Sequence, residues 1–217
     1  MVQHRNTVLR EILSRGVVAV VRAKQSERLI EAAQAINDGG VNCIEVSLTT
    51  PNAFEVMEEV SKNLPEDVIL GAGTVLDSET ARRAILSGAE YLVSPTSKSE
   101  LLKLGHRYGK VVIPGAFTPN EILDAYEQGA DLVKVFPAGI PGPKYLRAIK
   151  APLPQIPLIP TGGVNQENAG DFIRAGASAV CVGSALINQE ALKKRDFESM
   201  RKNASKLVKA VQKGRDN

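Results

Sequence analysis

Lys134 stands in the middle of an apolar run, Leu132-Val133-Lys134-Val135-Phe136, closed by Pro137 and preceded by Gly129-Ala130-Asp131. β-Branched neighbours favour a strand, and a strand this apolar takes its lysine out of water. An unpaired buried charge is costly, so the residue calls for a reason other than stability. The chemistry it offers is nucleophilic: an amine attacks a carbonyl only when neutral, and desolvation favours the neutral form. A second titratable group, Glu45, lies in a comparable run, Cys43-Ile44-Glu45-Val46-Ser47. Ile44 and Val46 share one strand face and leave Glu45 on the other, as Val133 and Val135 do for Lys134. A carboxylate and an amine facing one interior read either as a buried ion pair or as an acid/base beside a nucleophile. The two readings overlap.

The elements that must hold these residues follow from a repeat. Gly40-Val41-Asn42, Gly88-Ala89-Glu90, Gly129-Ala130-Asp131 and Gly176-Ala177-Ser178 recur at spacings of 48, 41 and 47 residues. Each reads as a glycine ending a helix just before a strand, and each spacing holds two βα units. The expected strands are 17–21, 43–48, 68–71, 91–93, 111–113, 132–136, 158–160 and 179–183, with helices between them, a leading helix over 7–14 and a closing basic one over 194–211. Eight βα units of this regularity predict an α/β fold, a single (β/α)8 TIM barrel with an extra N-terminal helix, spanning 1–217 as one catalytic domain. An open doubly wound sheet is the alternative, but no G-x-G-x-x-G follows the first strand. Five residues after each repeat glycine come Glu45, Val93, Lys134 and Cys181. Alternate barrel strands contribute to common layers, so these four are expected at one height.

Reacting groups in such barrels collect at the C-terminal ends of the strands. Thr161-Gly162-Gly163 follows 158–160 and runs toward an expected helix at Gln166, and Gly183-Ser184 follows 179–182 and runs into Ala185-Leu186. Glycines let backbone N–H groups approach an anion, a helix N-terminus attracts it further, and these two loops hold phosphate in many barrels. Singly each pair reads as a plain turn; together they read as a phosphate cradle. Thr74, in Gly71-Ala72-Gly73-Thr74, and Pro95, in Ser94-Pro95-Thr96, end other strands as turns or pocket walls. Arg22 closes the first strand, and parity with Val18 and Val20 turns it toward the barrel mouth. A guanidinium there holds a carboxylate bidentately; the plainer reading is a snorkelling surface arginine. The two histidines are His4, before the first helix, and His106, in the helical interval after strand four and away from the strand ends. No metal-ligand spacing occurs, so neither a metal nor a cofactor is expected.

Composition bounds the rest. A chain of 217 residues, 43% hydrophobic and 24% charged with net charge +3, suits one globular domain. Aromatics are 4% with no Trp, which leaves no platform for stacking bases. The basic residues of 193–215 fall at helical intervals, a solvated face in preference to a nucleic-acid patch. Cys43 and Cys181 read as reduced core residues. The N-terminus lacks an apolar h-region, and no run approaches the ~18 apolar residues that span a bilayer. A cytoplasmic protein with no nucleic-acid or membrane partner is expected.

Ile44-Glu45-Val46, Gly71-Ala72-Gly73-Thr74-Val75, Val93-Ser94-Pro95, Pro114-Gly115, Lys134-Val135-Phe136-Pro137, Pro160-Thr161-Gly162-Gly163-Val164 and Val182-Gly183-Ser184-Ala185-Leu186 occur in this order along the chain. Together they resemble the class I 2-dehydro-3-deoxy-phosphogluconate (KDPG) and 4-hydroxy-2-oxoglutarate (KHG) aldolases over essentially the whole sequence. The resemblance implies that Lys134 forms a Schiff base with a 2-oxo acid and that Glu45 moves protons, through a water. It also implies that Gly162, Gly163, Gly183 and Ser184 bind phosphate and that Thr74, Pro95, Phe136 and Thr161 shape the pocket. Some members carry an arginine four residues after the glutamate, where this chain has Thr49. Another branch bears it at the end of strand one, which transfers carboxylate binding to Arg22. Thr161 resembles the gluconate-type enzymes, whereas galactonate-type relatives tend to be apolar there. A phosphorylated 2-oxo acid substrate and a homotrimer are implied. Two competing readings remain at this point: a phosphosugar isomerase or decarboxylase using lysine without covalent attachment, and a non-catalytic phosphosugar-binding regulator. The regulator would be expected to have lost Glu45 or Lys134.

Overall fold

The computed structural model describes residues 5–22, 26–187 and 189–216. Strands β1 (Val17–Val21), β2 (Cys43–Ser47) and β3 (Ile69–Gly73) are buried at every position, the condition of parallel strands covered on both faces. They are followed by β4 (Tyr91–Val93), β5 (Val111–Ile113), β6 (Gly115–Ala116), β7 (Val133–Val135), β8 (Leu158–Pro160) and β9 (Val180–Val182). Helix α1 (Arg5–Arg15) leads the chain, and α2 (Ser26–Asp38), α3 (Ala53–Asn63), α4 (Ser78–Leu86) and α5 (Ser99–Arg107) each follow a strand. After β6 come α6 (Pro119–Glu127), α7 (Gly142–Lys150), α8 (Ala169–Arg174), α9 (Gln189–Lys194) and α10 (Phe197–Arg215). The four repeat glycines Gly40, Gly88, Gly129 and Gly176 all have left-handed backbones, with φ between 92° and 100°, as their place after a helix requires. Among the described residues no helix is long and apolar enough to cross a membrane.

All pairings are parallel and form two sheets, β5-β4-β3-β2-β1-β9 and β6-β7-β8. The strands over 17–21, 91–93, 111–113 and 158–160 form as expected, and the others differ by one or two residues at their ends. β6 lies outside the expected strands. Pro114 has no N–H to give a ladder, so the extended segment pairs with β4 before it and with β7 after it. Across this edge Lys134 N donates to Pro114 O at 2.8 Å and Asp131 N to Val112 O at 3.2 Å. At the other edge Ser178 N donates to Leu158 O at 2.9 Å, and an isolated parallel bridge joins Thr161 and Cys181. The result is an α/β fold with a curled parallel sheet.

Strand alternation sorts the core into two layers. Val17, Ala19, Val21, Ile44 and Val46 pack toward the helices in a large cluster. Their neighbours Val18, Val20 and Cys43 join Ile69, Tyr91, Val93, Val111, Ile113, Leu132, Ile159, Ala179 and Cys181 in a second cluster drawn from both sheets. Val8 and Ile12 of α1 belong to that second cluster and are fully buried, so the leading helix covers the N-terminal ends of the strands.

Candidate active site

β7 carries Lys134 at its centre, in register with Gly115 and Ile159. Its side chain is 6% exposed, and the ammonium nitrogen lies 5.3 Å from the centroid of the Phe136 ring. Glu45 is 1% exposed and stands on β2 in register with Val20 and Gly71. Among the described residues no carboxylate lies within ion-pair distance of Lys134. The buried ion-pair reading therefore gives way to two separately placed groups. Glu45 Oε2 accepts a hydrogen bond from Cys181 Sγ at 3.5 Å, so two of the four positions expected at one height are in contact. A Cβ on Gly73 would lie 1.7 Å from Glu45 Oε1; only glycine leaves room for the carboxylate there.

Lys134 and Glu45 open into one cavity of about 610 Å³. Arg22, Thr74, Pro95, Phe136, Thr161, Gly162, Gly163, Gly183 and Ser184 line the same cavity, so the structure brings together every site residue singled out in the sequence. Thr74 has φ 63°, a strained conformation for a β-branched residue and of the kind that collects at functional sites. Its hydroxyl meets Ser47 Oγ at 3.0 Å, and Ser47 Oγ meets Thr49 Oγ1 at 2.9 Å. Arg22 is exposed and beside the second glycine turn: a Cβ on Gly183 would lie 3.9 Å from Arg22 Nη1.

The two glycine segments end differently from expectation. No α-helix begins at Gln166 or Ala185. Asn168 Oδ1 accepts from Asn165 N at 2.9 Å, and Asn165 Oδ1 accepts from Glu167 N at 2.9 Å and Asn168 N at 3.1 Å. These side chains take the N–H groups that a helix start would leave free, and α8 begins only at Ala169. After β9 a single turn is closed by Leu186 N to Gly183 O at 2.9 Å and Ile187 N to Gly183 O at 3.0 Å. Both glycine segments are backbone turns; α8 begins at Ala169 and α9 at Gln189, so neither turn runs directly into a described helix. Gly162 and Gly163 both have φ 82°, and a Cβ on Gly163 would lie 2.7 Å from Gly139 Cα. Gln166 Nε2 donates to Ala185 O at 2.9 Å, tying one turn to the other. That bond, the thiol on Glu45 and the cavity positions of Val20 and Asn165 carried no sequence signal, apart from the inward parity of Val20 and Cys181.

Burial raises the Cys43 thiol to about 12 and pushes Tyr91 well above its ordinary value. Burial first, then the Glu45 carboxylate, does the same to Cys181; both cysteines are free. His106 lies at the strand N-terminal end, its Nε2 3.2 Å from Arg5 Nη2, and His4 is outside the described residues. Among those residues no group of three His, Cys, Asp or Glu side chains could hold a metal ion.

A secluded amine and a secluded carboxylate thus stand on strands of a curled parallel α/β fold and open into one cavity beneath glycine turns. Known proteins give the class. The KDPG and KHG aldolase family matches residues 8–203. The KHG/KDPG aldolase of Escherichia coli is 34% identical over 208 residues, 94% of this chain and 97% of that one. A probable 2-dehydro-3-deoxy-6-phosphogalactonate aldolase of Rhizobium meliloti is 33% identical over 175 residues, covering 80% and 82%. The structure of KDPG aldolase from Legionella pneumophila, with pyruvate captured as a covalent carbinolamine, superposes with a TM-score of 0.83 at 29% identity, covering 88% and 93%. This chain belongs to the KDPG and KHG aldolase family and is an aldolase.

Proposed function

We propose that the chain cleaves 2-dehydro-3-deoxy-6-phosphogluconate to pyruvate and D-glyceraldehyde 3-phosphate, and 4-hydroxy-2-oxoglutarate to pyruvate and glyoxylate, through a Schiff base on Lys134. The observation that carries this reading is the pairing of Lys134 and Glu45 in one cavity with no ion pair between them. Neutral Lys134 attacks the C2 carbonyl, and loss of water from the carbinolamine gives an iminium ion. Glu45, through a water, takes the C4 hydroxyl proton as the C3–C4 bond breaks, and the electron pair of that bond enters the iminium to form an enamine. The proton returns to C3, and hydrolysis frees pyruvate and the amine. The iminium is the electron sink, so no metal or cofactor is required. Arg22 holds a substrate anion, and Thr74, Pro95, Phe136 and Thr161 shape the pocket. Gly162, Gly163, Gly183 and Ser184 receive the phosphate and fix the far end of the substrate.

Incubation with pyruvate and borohydride is expected to leave a reduced pyruvyl adduct on Lys134, read by peptide mass spectrometry. Its absence would overturn covalent attachment of the substrate to Lys134. A second substrate reading, the galactonate epimer, is favoured by the name of the Rhizobium relative, whereas Thr161 favours gluconate. Turnover of the two epimers under identical conditions decides: a kcat/KM higher for the galactonate epimer would reverse the assignment. The remaining proposals are that residues 1–217 form one catalytic domain, that the two sheets close as one (β/α)8 barrel, and that the enzyme is a cytoplasmic homotrimer. Sedimentation at a mass other than three times the 23.2 kDa chain would exclude the trimer.

A further inference from the structure

We propose that Cys181 is a positioning residue for Glu45, holding carboxylate oxygen Oε2 through its thiol hydrogen while Oε1 is seated over Gly73. The inference rests on the reading of Glu45 as the proton-transfer group. A carboxylate has two oxygens that only accept hydrogen bonds. Glu45 is 1% exposed, and among the described residues the hydrogen bond it receives comes from Cys181, at 3.5 Å. The other oxygen lies where a Gly73 Cβ would be, 1.7 Å away. Bond and space together define one orientation of the group.

The donor is itself fixed. Cys181 is 2% exposed, pairs with Val18 on β1 and is bridged through its backbone to Thr161. Burial keeps the thiol protonated, so it stays a donor across neutral pH. A thiol is a weak donor. It orients the carboxylate while drawing little negative charge from the oxygen that must accept a proton. Through the strand bridge the same residue joins Glu45 to Thr161, a residue of the cavity wall.

The test separates two half-reactions of pyruvate. Borohydride trapping reports attack by Lys134. Exchange of the pyruvate methyl hydrogens in D2O, followed by NMR, reports the proton step: the C3–H bond of the iminium breaks, the proton passes to Glu45, the electron pair forms the enamine, and a solvent deuteron returns. Cys181→Ala is expected to slow exchange about three- to tenfold, the size of one net hydrogen bond, with trapping changed less than about twofold. Cys181→Ser, which keeps a donor, is expected to restore exchange to within about twofold of the parent. The ratio of exchange to trapping cancels any loss of folded protein, which a packing role would lower equally in both. Equal exchange in all three proteins, equal losses in both variants, or parallel loss of exchange and trapping would each overturn the assignment alone. No adduct in the parent enzyme would overturn the Schiff-base reading and this one with it.

Discussion

Gly73 defines what a single residue does at this site. Nothing about its backbone demands glycine, since its φ is not among the positive values; what excludes a side chain is Glu45 Oε1 over its Cα. Gly73→Ala is therefore expected to displace the carboxylate without disturbing Lys134. Kcat for aldol cleavage should fall about 10²–10³-fold, within the usual contribution of a positioned acid/base, while borohydride trapping of pyruvate persists. A coupled lyase assay beside the trapping assay checks this, and an unchanged kcat would show that the proton is carried elsewhere. At this scale the inward-facing amine and carboxylate could be read from strand parity. The thiol on Glu45 could not, because Cys181 and Glu45 are 136 positions apart and nothing local to either announces the bond.

Elements were readable wherever one force dominated. β-Branched runs gave strands, and glycine after a helix gave each repeat boundary. Where two local forces competed, the reading failed: Pro114 divides a strand between two sheets, and Asn165 with Asn168 replaces an expected helix start by a turn. Good caps fix where a helix begins, as with Thr118 and Glu121, which form a capping box at α6. Hydrogen bonds from the Thr118 and Phe117 backbones hold the Glu121 carboxyl below its ordinary value. A depressed carboxyl contributes above its unfolded value and loses that contribution as pH falls through the folded one; exposure keeps the effect small. The leading helix carries more weight. Arg5 donates to Asp131, at 2.7 Å and 3.3 Å, and Asp131 Oδ2 also accepts from Val112 N at 2.9 Å. Asp131 is nearly buried, with 6% of its side chain exposed, so losing Arg5 leaves its carboxylate under-partnered. Arg5→Ala is expected to destabilise by about 1–3 kcal/mol, lowering Tm by several degrees for a chain of this size, with turnover per folded molecule unchanged. Calorimetry decides: a variant melting with its parent would mean that Val8 and Ile12 alone hold α1.

Across the whole molecule the site straddles the seam between the two sheets. Lys134 and Thr161 belong to the β6-β7-β8 side, and Glu45, Cys181 and Ser184 to the β9-β1-β2 side. Neither sheet alone brings the amine and the carboxylate together, and the glycine turns are joined across the same seam by Gln166 Nε2 on Ala185 O. The βα count anticipated eight units, but the meeting of their edges depends on long-range bonds such as Ser178 N to Leu158 O, which no local pattern encodes. One cavity holds both the proposed reacting groups and the proposed phosphate turns, so charge at one end can be altered while the other is left intact. Ser184→Asp adds a carboxylate where the phosphate is proposed to rest. Like charges held a few ångströms apart near a protein surface repel by more than the ~1.4 kcal/mol of a tenfold change. KM for 2-dehydro-3-deoxy-6-phosphogluconate is expected to rise at least about tenfold. 4-Hydroxy-2-oxoglutarate has no phosphate to place there, and its kcat/KM should stay within about twofold because no reacting group has moved. Steady-state kinetics on both substrates separates the cases: an equal loss on the two would mean that Ser184 supports the shape of the whole cavity and that the phosphate is bound elsewhere.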